Sequence, residues 1–452
     1  RNPNSFTHSS AKFEFSKLIL TDVCLRKSDV IFTMSLAANL MKHIALATSS
    51  TVIANKIHAI NLACSCRSIS SEKYSKDDTA TPQQQSKAKE LLENATTYVG
   101  DRVESEEDVW ASKPYPKHYD PRRDQKRHSL RPKVDPKDTS IIMFPGQGTQ
   151  FVGMGRDLLK NLPMAKDLFE EASAILKFDL EKLCMEGPES ELNKTIHAQA
   201  AVFVCSVGAL ELLREERPAA IENCVGTMGF SLGEITALTF SGAFDFETAL
   251  ELIKVRSEAM QIACEIVPGA MATVLYGADS QLNLAMKKAK EWCIERGITD
   301  PECRVANYLY PHCKVIAGHV EALKYIEKNL STYKLRRLRR LPVSGAFHTN
   351  LMNPAVEPFS IALGKAQIKD MIIPVYSNVD GKRYKDAKHI IKQLPKQICK
   401  PVCWEQTLHI VYERPQGDCF PRTFECGPGK SLVTILKQVN MKAGESAAKV
   451  PC

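Results

Sequence analysis

Gly229-Phe230-Ser231-Leu232-Gly233 stands between a short apolar run, Cys224–Met228, and a stretch with helical spacing, Leu232–Ser241, that stops at Gly242. G-x-S-x-G between a strand and a helix is a nucleophile elbow. The turn is so tight that its flanks tolerate only small side chains, and it lifts the serine hydroxyl clear of the backbone. An ordinary turn serine would not need a strand before it and a helix after it. Glu234 falls in the first helical turn, where a carboxylate suits the positive end of the helix dipole.

Working outward, Thr139-Ser-Ile-Ile-Met-Phe reads as a strand that ends at Pro145-Gly146. From there to about Met441, amphipathic helical patterns alternate with short apolar runs, as a parallel-sheet α/β fold requires. One block departs from that alternation. Gly269–Tyr276 reads as a strand, Ser280–Arg296 as a helix, Arg304–Tyr308 and Lys314–Ala317 as strands, Val320–Asn329 as a helix and Leu335–Val343 as a strand. The order βαββαβ is that of a ferredoxin-like unit. The expected fold is therefore an α/β-hydrolase-like core, residues 139–267 and 342–441, with a ferredoxin-like subdomain inserted at 268–341 and a tail at 442–452.

Phe144-Pro-Gly-Gln147-Gly-Thr-Gln150 follows the first strand. Its glycines let the backbone approach a ligand, and a strand-to-helix loop offers free N–H groups. A phosphate loop would end in Gly-Lys-Ser/Thr, which is missing here. The better reading is an oxyanion loop that pairs the N–H of Gln147 with that of Leu232, the residue after the nucleophile. One such donor is typically worth ~10²–10³ in turnover. His348 is one of eleven histidines. It follows the serine in the chain order of nucleophile-elbow enzymes, which makes it the candidate base, although no triad carboxylate is evident. A main-chain carbonyl can fix the tautomer instead. Arg256, 25 residues after Ser231, is either a solvated helix charge or, for a substrate with a free carboxylate, its partner.

The chain has 452 residues, 44% hydrophobic and 25% charged, with a formal charge of +8. These values suit one large catalytic unit plus an accessory segment. Fifteen cysteines in irregular spacing, with no Cys-x-x-Cys, point to reduced thiols rather than a zinc site or a secreted disulfide framework. No apolar run is expected to reach the ~18–20 residues that cross a bilayer, and no membrane insertion is expected. Residues 1–33 lie ahead of Met34 and read as sequence upstream of a start, or as part of a fragment. Residues 34–71 contain no Asp or Glu after Met34, while Lys42, Lys56 and Arg67 recur among Ser, Thr, Ala and Leu. That is the composition of a mitochondrial presequence. Residues 72–138 are charged, carry Pro114, Pro116, Pro121, Pro132 and Pro136, and read as a disordered tether.

Taken together, these motifs resemble the malonyl-coenzyme A:acyl carrier protein transacylases, most nearly their mitochondrial branch in animals. The carriers of the resemblance are Phe-Pro-Gly-Gln-Gly-Thr-Gln150, Gly-Phe-Ser-Leu-Gly-Glu234, Val-Arg256-Ser-Glu-Ala-Met-Gln, Val305-Ala-Asn-Tyr with Val315-Ile-Ala-Gly-His319, Val-Ser-Gly-Ala-Phe-His348, Pro401-Val-Cys-Trp404 and Glu425-Cys-Gly-Pro-Gly-Lys430. They span about 300 residues in the family's order.

The resemblance implies that Ser231 carries a malonyl ester, that His348 is its base, and that Arg256 binds the malonyl carboxylate. Gln147 and Leu232 would be the oxyanion donors. Gln397 would supply the main-chain carbonyl that orients His348, and Phe347 would crowd out an α-methyl group. Bacterial members have histidine where this chain has Phe230. No cofactor or metal is implied, and no nucleic-acid partner. The implied partners are malonyl-coenzyme A and an acidic acyl carrier protein, which could dock near Lys334, Arg336, Arg337, Arg339 and Arg340. A monomer in the mitochondrial matrix, serving type II fatty acid synthesis, is expected. A serine esterase or thioesterase, or a catalytically silent mitochondrial scaffold, is the alternative.

Overall fold

The computed structural model describes residues 135–343, 345–412 and 419–452. The expected upstream segment and presequence, with the tether as far as residue 134, lie outside the described residues. The end of the expected disordered tether is corrected, since Pro136–Asp138 form a 3-10 turn capped by Asp135 ahead of the first strand.

Strand β1 (Ser140–Phe144) is buried at all five positions. Burial along the whole length is what a parallel sheet covered on both faces demands. It pairs in parallel with β2 (Cys224–Gly229) on one side and with β9 (Arg422–Glu425) on the other. The edge strands are β7 (Val375–Tyr376) and β10 (Ala447–Lys449), giving the order β10-β9-β1-β2-β7. All four pairings are parallel. The expected tail is thus corrected: residues 447–449 complete the sheet. Val450 and Cys452 are buried behind it.

The inserted block runs β3 (Gly269–Tyr276), helix, β4 (Cys303–Tyr310), β5 (Cys313–His319), helix, β6 (Leu335–Arg340). Its sheet order is β6-β3-β5-β4, antiparallel throughout, with β8 (Val402–Cys403) added in parallel at the far edge. β8 belongs to the larger unit, so the small sheet is continuous with it. The last strand stops at Arg340 rather than Val343, because Val343 N bonds back to the Leu341 carbonyl (2.9 Å). One face of this sheet holds Val274, Val305 and Ile316 against Leu282, Ala289, Leu323 and Ile326 of its two helices. The other face sends Met271, Ala306, Val315 and Ala317 into the main core.

Three helices carry the site. Helix α1 (Thr195–Glu216) is long and apolar enough to cross a membrane by composition, against the expectation that no run was. The most apolar window of that helix is 83% buried inside the protein. Apolar residues all round a helix suit a core position equally well. Helix α2 (Leu232–Phe240) leaves the elbow, and α3 (Phe246–Ile266) packs along α1.

Candidate active site

The elbow glycines have a steric cause. A Cβ on Gly229 would run into the Gly233 carbonyl, and one on Gly233 into the carbonyl of Phe144. Ser231 sits at φ 52°, ψ −102°, a conformation that costs a non-glycine residue roughly 1–3 kcal/mol. Three hydrogen bonds hold it there. Ser231 N donates to Asn378 Oδ1 (2.7 Å). Asn378 Nδ2 donates to the Gly229 carbonyl (2.8 Å). Gln397 Nε2 donates to the Ser231 carbonyl (2.7 Å).

His348 also has positive φ, 62°, and is 3% exposed. Its Nε2 lies 2.8 Å from Ser231 Oγ and its Nδ1 2.7 Å from the Gln397 carbonyl. A carbonyl can only accept, so Nδ1 carries the hydrogen and Nε2 is left to take the serine proton. Burial, and then the Arg256 cation, push the imidazole down to about 4. It is therefore a neutral, unoccupied base at neutral pH.

Arg256 is 1% exposed. Its Nη2 donates to Ser231 Oγ (3.1 Å) and to Gln397 Oε1 (2.8 Å), and its Nη1 to Gln199 Oε1 (2.7 Å). Burial lowers it to about 10, so it remains a cation at neutral pH. The solvated-charge reading of this arginine is excluded by its burial. Ser231, His348 and Arg256 come together at the C-terminal ends of parallel strands, where α/β sheets build their sites.

Gln147 lies in the loop after β1, and Phe230 N bonds the Phe144 carbonyl (2.9 Å), which draws that loop against the elbow. The Gln147 side chain accepts from Gln199 Nε2 (3.2 Å) and donates to Thr195 Oγ1 (3.4 Å). Leu232 opens α2 and is buried. Phe347 is buried beside the base, 6% exposed. Phe230 packs edge-on against Trp404, with ring centroids 5.4 Å apart, so an aromatic contact fills the place next to the nucleophile.

The basic cluster is not part of this constellation. Arg336, Arg337 and Arg339 are exposed on the edge strand β6. Arg340 reaches Glu327 (3.3 Å) and Lys334 faces Asp279 (3.8 Å). Among the described residues, no group of three or more His, Cys, Asp or Glu could hold a metal.

Glu234 does more than favour a helix dipole. It is fully buried and accepts from Tyr384 OH (2.6 Å), Gln397 Nε2 (2.6 Å) and Asn378 N (3.1 Å). Burial pushes it up to about 7. Sequence reasoning missed Asn378, Tyr384, Gln199 and the side chain of Gln397. None of them left a local signal, since even the strand ahead of Asn378, Val375–Tyr376, is only two residues long.

The model of the acyl transferase domain matches residues 141–411. A Drosophila melanogaster protein named "Probable malonyl-CoA-acyl carrier protein transacylase, mitochondrial" is 59% identical over 320 residues, 71% of this chain and 84% of that protein. The human malonyl-CoA-acyl carrier protein transacylase, mitochondrial, is 50% identical over 315 residues, 70% of this chain and 80% of the relative. The crystal structure of the malonyl-CoA:acyl carrier protein transacylase of Xanthomonas oryzae superposes with a TM-score of 0.62 at 29% identity, covering 70% of this chain and 95% of that one. A match of this length and identity leaves one conclusion: the chain belongs to the acyl transferase family, among its malonyl-CoA-acyl carrier protein transacylases.

Proposed function

We propose that this chain moves a malonyl group from coenzyme A to the phosphopantetheine thiol of acyl carrier protein through a malonyl-serine ester. The observation that carries the reading is one oxygen with two neighbours. Ser231 Oγ lies 2.8 Å from a neutral imidazole nitrogen and 3.1 Å from a buried guanidinium. The first makes a nucleophile, and the second selects an acyl group that ends in a carboxylate.

In the first half-reaction His348 Nε2 takes the serine proton as Oγ attacks the thioester carbonyl. The C–S bond then breaks, and the imidazolium returns the proton to the departing coenzyme A thiolate. The second half runs the same path in reverse, with the carrier thiol giving its proton to His348 and attacking the ester. Main-chain N–H groups of Gln147 and Leu232 receive the charge of each tetrahedral intermediate. Arg256 pairs with the malonyl carboxylate, whose burial alone would cost several kcal/mol. Phe347 limits room at the α-carbon.

The carrier protein docks through the basic edge formed by Lys334, Arg336, Arg337, Arg339 and Arg340. The enzyme works as a monomer in the mitochondrial matrix and supplies type II fatty acid synthesis. Residues 34–71 act as its address and 72–134 as a tether. Incubation with malonyl-coenzyme A followed by peptide mass mapping tests the reading, which requires the adduct on the peptide that carries Ser231.

A further inference from the structure

Among the described residues Arg256 donates to Ser231, Gln199 and Gln397, and all three present neutral oxygens. A buried guanidinium is more often met by a carboxylate, because an unpaired ion in the interior is costly. Here the nearby carboxylate stands one amide away. Gln397 Nε2 donates to Glu234 Oε2 (2.6 Å) and to the Ser231 carbonyl (2.7 Å). Both are acceptors, so the amide can turn only its oxygen towards Arg256.

Gln199 is arranged in the same way from the opposite side. It is fully buried on α1. Its Nε2 donates to Gln147 Oε1 (3.2 Å) and reaches the sulfur of Met260 (3.6 Å), which leaves Oε1 to meet Arg256 Nη1 at 2.7 Å. The Gln199 NH₂ orients Gln147 in its turn, and Gln147 Nε2 then donates to Thr195 Oγ1 (3.4 Å). A flipped Gln199 would aim an NH₂ group at the guanidinium donors and turn its oxygen towards Gln147 Oε1, losing both bonds.

We propose that Gln199 is a specificity-determining positioning residue: with Gln397 it holds Arg256 by neutral acceptors, so that the arginine's positive charge stays available for the carboxylate of the acyl substrate. The inference rests on the reading that Arg256 binds that carboxylate. Uncharged amides fix the planar fork without neutralising it. A carboxylate in their place would satisfy the arginine before substrate arrived. The same relay ties the arginine to the loop that carries Gln147, so the acid-binding and oxyanion elements are held in one register.

The test uses the full chain, with malonyl- and acetyl-coenzyme A as probes and single-turnover acylation of Ser231 as readout. Gln199→Glu sets an anionic oxygen where the amide oxygen stood. The malonyl-to-acetyl ratio of specificity constants should fall by about tenfold or more, with the loss chiefly in malonyl KM. Gln199→Met, similar in size and unable to hold Nη1, should lower the ratio by a smaller factor. It decides alone if the glutamate variant does not fold. Arg256→Ala separates the two ideas. If it leaves the ratio unchanged, the carboxylate reading fails and this inference with it. If Arg256→Ala lowers the ratio while both Gln199 variants stay within about twofold of wild type, the inference alone is overturned.

Discussion

The depressed basicity of His348 makes a prediction that can be worked from the geometry. An exposed imidazole titrates near 6.5, and burial with Arg256 close by holds this one near 4. In the free enzyme the base should therefore stay unprotonated, and acylation fast, until pH falls close to 4. The same shift acts on stability. Between pH 6.5 and 4 the unfolded chain takes up a proton that the folded site refuses. Folding free energy is thus lost as pH falls through that window, by up to about 3 kcal/mol from this group.

Arg256 is the second cause, so Arg256→Ala should move the acidic limb up. Binding of malonate's carboxylate to the arginine should do the same, placing the limb of kcat above that of kcat/KM. The assay is rapid-quench formation of the acyl-enzyme from pH 4 to 8, beside urea unfolding at the same pH values. Glu234, pushed up to about 7, titrates in the same range, and any inflection it causes should vanish in Glu234→Gln. A limb near 6.5 that survives in Glu234→Gln would refute the buried, neutral-base account.

Arg256→Lys should recover only part of what alanine loses. An ammonium supplies charge without the two parallel bonds of the fork, and the malonyl-to-acetyl ratio in both variants measures the difference. Reversing the charges of Arg337 and Arg339 should raise KM for acyl carrier protein and flatten its salt dependence. Steady-state kinetics over a salt series check this, and an effect confined to the coenzyme A half-reaction would remove the docking surface. A chain that starts near residue 135 should fold and keep full activity. Loss of the thermal transition on truncation would show that the upstream residues belong to the core.

Much of the site was legible because catalysis constrains the backbone. Gly229 and Gly233 announce the elbow, since a Cβ at either would strike a carbonyl. The β–α alternation pointed to the parallel sheet, whereas the order β6-β3-β5-β4 of the inserted block's sheet comes from the structure. What stayed hidden was carried by side chains meeting across long separations. Asn378 and Ser231 are 147 positions apart, and Arg256 and Gln397 141. A glutamine or asparagine in such a place has the same local pattern as one facing solvent.

Glu234 shows the limit plainly. Its position in the first turn of α2 was evident, but its enclosure by Tyr384, Gln397 and Asn378 is set by segments about 150 residues downstream. Short strands were lost for a related reason. β7 and β8 have two residues each and β10 has three, too few to display a period, and their pairing comes from the sheet they join.

The central claim is that Ser231 carries the acyl group and His348 activates it. The most direct measurement is intact-protein and peptide mass spectrometry after brief exposure to malonyl-coenzyme A. One malonyl adduct on the Ser231 peptide, absent in Ser231→Ala and formed far more slowly in His348→Ala, is the predicted result. An adduct on a cysteine peptide, or acylation at the normal rate in His348→Ala, would contradict it.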